Sequence, residues 1–220
     1  MVGGRILTLK NMSKVFIAQH EMGLMGNFVY FFGDPETKKM ALVDPAWEAD
    51  RIWKYSRDAG WLVEAILLTH QHFDHINAVP DLLKEIDVPV FIHSQDLAET
   101  KRQIGEIRSV GAGDRAKIGN LDVTFIHTPG HTPGSQCFLV EGNIITGDTL
   151  FGGSIGRTDL PGGSARELFE SLQRLKTLPD ETVVYPGHNY GATPTSTIGE
   201  EKRTNPFMII SNVREFVRMT

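Results

Sequence analysis

The stretch that decides how this chain is read is Thr69-His70-Gln71-His72-Phe73-Asp74-His75, "THQHFDH", which follows directly on the apolar run "AILL" at 65–68. Three imidazoles and one carboxylate fall within the six residues 70–75. A folding chain gains little from such crowding, because buried imidazoles need partners and charged ones repel. Neutral imidazole and carboxylate are, however, the donors that zinc, iron and manganese take. In an extended segment His70 and His72 project to the same side and grip one ion, while Asp74 and His75 turn toward a second position.

Three further clusters answer the first. They are His131 in "TPGHTPGS" (128–135), Asp148 in "TGDTLF" (146–151) and His188 in "YPGHN" (185–189). Each lies where an apolar strand runs out into a loop, the usual place for chemistry on a rigid scaffold. A bridging carboxylate and one later histidine for each ion complete two sites about 3.5–4 Å apart. Asp148 therefore reads as the anion shared by two cations rather than as a turn residue. His20, His93 and His127 read as packed or hydrogen-bonded side chains, His127 because it falls in an alternating strand pattern. Cys137, the single cysteine, lies in the apolar "SQCFLV" and reads as a buried thiol that forms no intramolecular disulfide.

With 220 residues, 40% hydrophobic and 22% charged, the chain has the composition of a globular protein with a sizeable core. A formal net charge of -5 gives none of the basic excess of a nucleic-acid binder. No apolar run approaches the roughly 20 residues that cross a bilayer, and the N-terminus lacks a signal-peptide core, so a cytoplasmic location is expected. Strands are expected at "RILTLK", "VFIAQ", "NFVYFFGD", "KMALVDP", "VEAILLTH", "VPVFIH", "LDVTFIHTP", "SQCFLVEG", "NIITGDTLF" and "TVVYPGHN". Helices are expected over 47–60, 78–89, 94–107 with Ser94 as cap, and 164–179 with Ser164 as cap. Strand and helix blocks alternate in two halves, which suggests sheets faced by helices.

Together, "THQHFDH", "TPGHTPGS", "GDTLF" and "YPGHN" resemble the ordered ligand set of the metallo-β-lactamase superfamily over nearly the whole chain. The resemblance implies an α+β fold, a four-layer αββα sandwich formed by residues 1–220 as one domain, with a binuclear site along the edge of two sheets. By matching motif, His70, His72 and His131 would hold one metal. Asp74, His75 and His188 would hold the second, and Asp148 would bridge them. Asp44 in "ALVDPA" resembles a position that supports the ligands without binding metal. Within the superfamily, "GDTLFGGSIGRTDLPGG" and "YPGHNYGATPTSTIGEEKRTNPF" resemble the glyoxalase II-like branch, the hydroxyacylglutathione hydrolases. The second stretch also resembles the related persulfide dioxygenases. Glyoxalase II enzymes carry a helical C-terminal domain that helps to hold glutathione. Here about thirty residues follow His188, so no separate helical domain is expected and that grip is missing or replaced.

The chemistry this implies is hydrolysis of a small-molecule thioester or related ester, a glutathione or other thiol ester, by a hydroxide bridging two divalent ions of zinc, iron or manganese. Asp74 and Asp148 are the catalytic carboxylates, the first orienting the nucleophile as well as binding metal. Arg157 would grip a substrate carboxylate or, equally, pair with Asp159; Tyr190 would line the cleft or pack. The run "EEKRTNP" (200–206) reads as solvated surface. The rival reading is a persulfide dioxygenase with one Fe(II) held by His70, His131 and Asp148. Dioxygenase relatives tend to show "GCGRTD" where this chain has "SIGRTD" (154–159), and Phe73 with "INAV" (76–79) resembles the hydrolases, so hydrolysis leads. A purely structural zinc module is disfavoured, because such sites are closed tetrahedra and often use cysteine.

Overall fold

The computed structural model describes residues 14–104 and 107–220, so the expected strand "RILTLK" lies outside the described residues. Strands β1 (Phe16–Met22), β2 (Asn27–Asp34) and β3 (Lys39–Val43) form an antiparallel meander. Every residue of β2 is buried, and its side chains divide by alternation. Val29 and Phe31 join one core, whereas Phe28, Tyr30 and Phe32 join another. Met40 and Leu42 of β3 likewise part from Ala41 and Val43. Strands that are apolar on both faces must be covered on both, and this dictates layers.

After α1 (Ala49–Asp58), the parallel strand β4 (Leu62–Leu67) leads into the short helix α2 (Phe73–Ile76) and then α3 (Val79–Glu85). Parallel strands β5 (Val90–His93) and β6 (Arg108–Val110), separated by α4 (Leu97–Ile104), complete a sheet ordered β1-β2-β3-β4-β5-β6. The second sheet begins with the antiparallel β7 (Arg115–Ile118), β8 (Leu121–His127), β9 (Gln136–Val140) and β10 (Asn143–Gly147). Helix α5 (Ala165–Leu175) then crosses to β11 (Val183–Pro186), parallel to β10, and the edge strand β12 (Ser196–Thr197) follows. The chain finishes with α6 (Ile198–Thr204), α7 (Pro206–Ile209) and α8 (Val213–Met219).

Three apolar layers hold this together. Ile52, Val79, Leu82 and Ile104 of α1, α3 and α4 cover the outer face of the first sheet. Phe32, Val43, Phe125, Phe138 and Ile145 fill the space between the sheets. Leu168, Leu172 and Leu175 of α5, with Ile198, Met208 and Phe216 of α6, α7 and α8, cover the outer face of the second. Two mixed sheets packed face to face, each with helices on its outer face, make the four-layer αββα sandwich that was expected.

Several expected boundaries shift. α5 begins as expected, with Ser164 Oγ accepting from the Glu167 N–H. α4 instead starts at Leu97, and residues 94–96 form a turn, so Ser94 is not its cap. β4 stops at Leu67 and β10 at Gly147, which leaves His70 and Asp148 in the loops beyond them. The second half of "THQHFDH" is not extended, because Phe73–Ile76 make a helical turn after His72. The run 200–206 is not plain surface either: α6 buries Glu201, whose Oε2 accepts from the Gly153 N–H at 3.0 Å and from Asn205 Nδ2 at 2.8 Å.

Candidate metal centre

Both sheets run out toward one place. Asp44, just past β3, lies in the left-handed region at φ 46, which aspartate tolerates better than most residues. Its Oδ1 accepts the Thr69 N–H at 2.7 Å, and its Oδ2 accepts the Thr69 hydroxyl at 2.5 Å and His75 Nδ1–H at 3.0 Å. Both oxygens are thus engaged in support, although His70 and His75 also stand close to Asp44. Because Thr69 gives its proton to Asp44, its hydroxyl oxygen is left to accept from His70 Nδ1–H at 3.0 Å. His131 Nδ1 donates to the Arg157 carbonyl at 2.8 Å, and His188 Nδ1 donates to the Met25 carbonyl at 3.0 Å. Each of these four rings is therefore fixed with its Nε2 turned inward, the way imidazoles are prepared to bind metal.

The inward atoms form two groups. The ligand atoms of His70, His72 and His131 lie within 4.8 Å of one another, and so do those of Asp74, His75 and His188. His72 Nδ1 faces His131 Nε2 at 2.8 Å, and His75 Nε2 faces His188 Nε2 at 3.1 Å. Asp148 reaches both groups, with Oδ2 3.5 Å from His131 Nε2 and 3.3 Å from His188 Nε2, and Oδ1 3.4 Å from His75 Nε2. All seven residues expected from the sequence are brought together. Two buried atoms among them, His70 Nε2 and Asp148 Oδ1, have no hydrogen-bond partner. An unpartnered buried acceptor costs about 1–3 kcal/mol, and a divalent cation is the partner that would satisfy both. The donor set fits a metal.

Charge is distributed unevenly over these residues. Burial depresses His75, but the carboxylates of Asp148, Asp44 and Asp74 outweigh it and hold the imidazole up at about 9. Burial, then the imidazole of His131, pushes His72 down to about 4. Burial followed by the neighbouring His75 also drives His70 well below its ordinary value. Asp148 is held well below the carboxylate range although burial opposes this, because His75, His188 and His70 surround it. Without a metal ion, the centre balances its carboxylates with a proton on His75.

Two glycines let the loops close. A Cβ at Gly187 would sit 2.3 Å from Asp148 Oδ1, and one at Gly147, where φ is 48, would sit 2.4 Å from Thr69 Oγ1. Any side chain there would push the ends of the two sheets apart.

Sequence reasoning missed several supporting residues. Buried Asn27 donates Nδ2–H to Asp74 Oδ2 at 3.0 Å and to the Asp74 carbonyl at 2.9 Å, and accepts from Trp47 Nε1 at 2.9 Å. Buried Asp96 accepts from the Gly134 N–H at 2.7 Å, the Thr132 hydroxyl at 2.7 Å and the Gln71 N–H at 3.2 Å. It stitches the turn of His131 to the segment of His72, and burial raises its carboxyl above the usual range. Asp96 lies inside the stretch 94–107 that was expected to be helical, and only the fold shows where its carboxylate points. Asn205 Nδ2 donates to the Ser154 carbonyl at 3.1 Å, so α6 anchors the 151–154 loop that borders the site.

Of the expected substrate residues, Arg157 makes a two-point contact with Asp159, at 2.9 and 2.8 Å. Tyr190 stacks on His188 with centroids 4.6 Å apart and donates its hydroxyl to the Met25 carbonyl at 3.1 Å. Both border a cleft of about 380 Å³ whose floor holds His72, Asp74, His131, Asp148 and His188. The other histidines lie elsewhere. His93 and His127 stack at 3.8 Å, and His20 packs edge-on to Phe31 and Tyr55. Cys137 is buried, and that burial pushes the thiol up to about 11.

Comparison with known proteins agrees with this architecture. Residues 22–188 match the profile of the Metallo-beta-lactamase superfamily. A "probable polyketide biosynthesis zinc-dependent hydrolase", PksB of Bacillus subtilis (strain 168), is 32% identical over 193 residues, covering 87% of this chain and 86% of its own. Among solved structures, ETHE1 from Myxococcus xanthus superposes with a TM-score of 0.82 at 33% identity, covering 93% of this chain and 89% of that one. TTHA1623 in a di-iron-bound form gives a TM-score of 0.75 at 36% identity, covering 86% and 99%. Among the described residues no helix is long and apolar enough to cross a membrane.

Proposed function

Since this chain belongs to the metallo-beta-lactamase superfamily, we propose that it is a metal-dependent hydrolase of a thioester or related ester, of the glyoxalase II-like kind. His70, His72 and His131 would hold one divalent ion, Asp74, His75 and His188 the other, with Asp148 shared. The observation that carries this reading is the placement of Asp148 within 3.5 Å of nitrogens from both groups, with Oδ1 making no hydrogen bond. When bound, the ions would make water nucleophilic near neutral pH and polarise the scissile carbonyl.

The protein's own residues do the rest. Asn27 fixes the Asp74 carboxylate at the cleft floor. Asp44, Thr69 and the carbonyls of Met25 and Arg157 hold four imidazoles through Nδ1 with Nε2 facing inward, so the rings need no reorientation. A thiolate departs without first taking a proton, so a cleft with His72 neutral at its floor suits a thioester better than an amide. The likeness to PksB, described as a zinc-dependent hydrolase, supports hydrolysis, and the di-iron form of TTHA1623 supports two ions.

The test is metal analysis of purified protein together with two assays: thiol release from S-lactoylglutathione and other thioesters, and oxygen uptake with glutathione persulfide. Two ions per chain and thiol release are expected. One iron per chain with oxygen uptake would replace this reading by a mono-iron persulfide dioxygenase using His70, His131 and Asp148. The likeness to ETHE1 of Myxococcus xanthus favours that second reading.

A further inference from the structure

We infer that the group flanking the scissile bond is uncharged and apolar, so that the preferred substrates are aliphatic thioesters rather than anionic conjugates such as those of glutathione. This rests on the thioester reading above. A carbonyl presented to Asp74, Asp148 and His188 leaves its flanking groups against the cleft walls, which are Met25, Phe73, Phe151, Ile155, Leu160 and Tyr190. Three of these expose unusual amounts of apolar surface to solvent, Met25 at 40%, Phe73 at 54% and Tyr190 at 57%. Exposed apolar side chains gathered at the mouth of a cleft mark a surface that gains by being covered.

The walls are also fixed in advance. Tyr190 is held by its stack on His188 and its bond to the Met25 carbonyl. Phe151 packs edge-on to Tyr190 at 5.5 Å and to His188 at 5.9 Å, and Phe73 packs edge-on to Trp47 at 6.1 Å. A ligand resting on them orders little that is not already ordered.

Charge argues in the same direction. Among the described residues lining the cleft, Arg157 alone carries a permanent positive charge, and Asp159 already engages it at two points. A carrier with several carboxylates meets no free cationic side chain on these walls, whereas each methylene laid on them leaves water. In the reaction, water adds OH to the acyl carbon as the C–S bond breaks, and its remaining proton goes to solvent or to the departing thiolate. The products are a carboxylic acid and a thiol.

The test uses metal-loaded protein and two substrate series. One lengthens the acyl chain from acetyl to octanoyl on the neutral thiol N-acetylcysteamine; the other lengthens an alkyl thiol under a constant acetyl group. On one series kcat/KM should rise about two- to fourfold per methylene until the cleft is filled, and which series rises assigns the side of the bond. S-lactoylglutathione should be turned over at least tenfold less efficiently than the best member. In Tyr190→Ala and Phe73→Ala, both exposed positions, the ratio of longest to shortest substrate should shrink severalfold, with thermal melts confirming the fold. Thiol release that is flat along both series, or fastest for S-lactoylglutathione, would overturn this inference and leave the hydrolase standing. No thiol release from any thioester would overturn the hydrolase reading itself.

Discussion

His72 and His75 stand three residues apart in one segment, yet their surroundings drive them in opposite directions, the first down to about 4 and the second up to about 9. Both belong to groups with two further ligands and share Asp148 between them, so the difference comes from what stands behind each group. Behind the His75 group are carboxylates in direct contact: Asp74 within it, and Asp44 on Nδ1. Behind the His72 group, Asp96 touches a hydroxyl and two backbone N–H groups, not an imidazole. One half of the centre attracts cations by charge and holds a proton in their place. In the other, burial keeps His70 and His72 uncharged, and the loops hold the group in position.

The strongest way to break this comparison is to remove the element both halves share. Asp148→Ala should lose both ions and lower kcat/KM on the order of a thousandfold or more, the loss of several kcal/mol of carbonyl polarisation. Metal content and thiol release measured on one preparation check it. An Asp148→Ala protein that keeps two ions would show that the halves are independent.

Next come the residues behind each half. Asp44→Asn keeps the shape but removes the charge facing His75 Nδ1, and should weaken one of the two bound ions about 10- to 100-fold in competition with a chelator. Asp96→Asn disturbs the loops of His72 and His131 without a direct contact to either ring, so its effect on affinity should be smaller, about tenfold or less. If Asp96→Asn proves the more damaging of the two, loop placement outweighs charge and the contrast is drawn the wrong way round.

The same contrast has a pH signature in metal-free protein. His75, raised above its ordinary 6.5 to about 9, contributes stability that is complete below 6.5 and is lost as pH rises through about 9. His72 and His93, each lowered to about 4, resist protonation in the folded state, so stability also falls as pH drops from 6.5 toward 4. Melting temperature after chelation should therefore peak near pH 6.5. In metal-loaded protein an ion replaces the proton on His75, and the alkaline decline should flatten. A chelated protein that grows steadily more stable up to about pH 9 would contradict the assignment of that proton.

The candidate ligands were legible in the sequence because metal chemistry limits the donor types and the glycine turns mark the strand ends where they sit. "THQHFDH", His131, Asp148 and His188 needed no geometry to be picked out. The layers were legible too, since strand and helix blocks alternate in two halves and the family resemblance implied a four-layer sandwich. What the sequence hid is whatever acts across long separations on ordinary residue types. Asn27 meets Asp74 and Asp96 meets Gly134 only after both sheets have formed, and an isolated asparagine or aspartate has dozens of commoner uses. The edge strands β6 and β7 are three and four residues long and partly exposed, so they carry little periodic signal. Helix α6 was obscured by its charges, because nothing along "EEKRTNP" shows that Glu201 and Asn205 turn inward.

The smallest effect is expected where the sequence left two roles open. The Arg157 side chain is largely exposed and pairs with Asp159, and it is the Arg157 backbone carbonyl, which a substitution keeps, that orients His131. Arg157→Ala should therefore leave metal content intact and shift Tm by no more than about a degree or two, because exposed ion pairs are screened by water. With an uncharged thioester, kcat/KM should change less than about threefold. An anionic thioester is the sharper probe: a guanidinium that bound its carboxylate at two points would make KM rise about tenfold or more on removal, with kcat little changed. That split would return Arg157 to the substrate side of the cleft and give the His72 half of the centre a cationic neighbour that the resting structure keeps paired with Asp159.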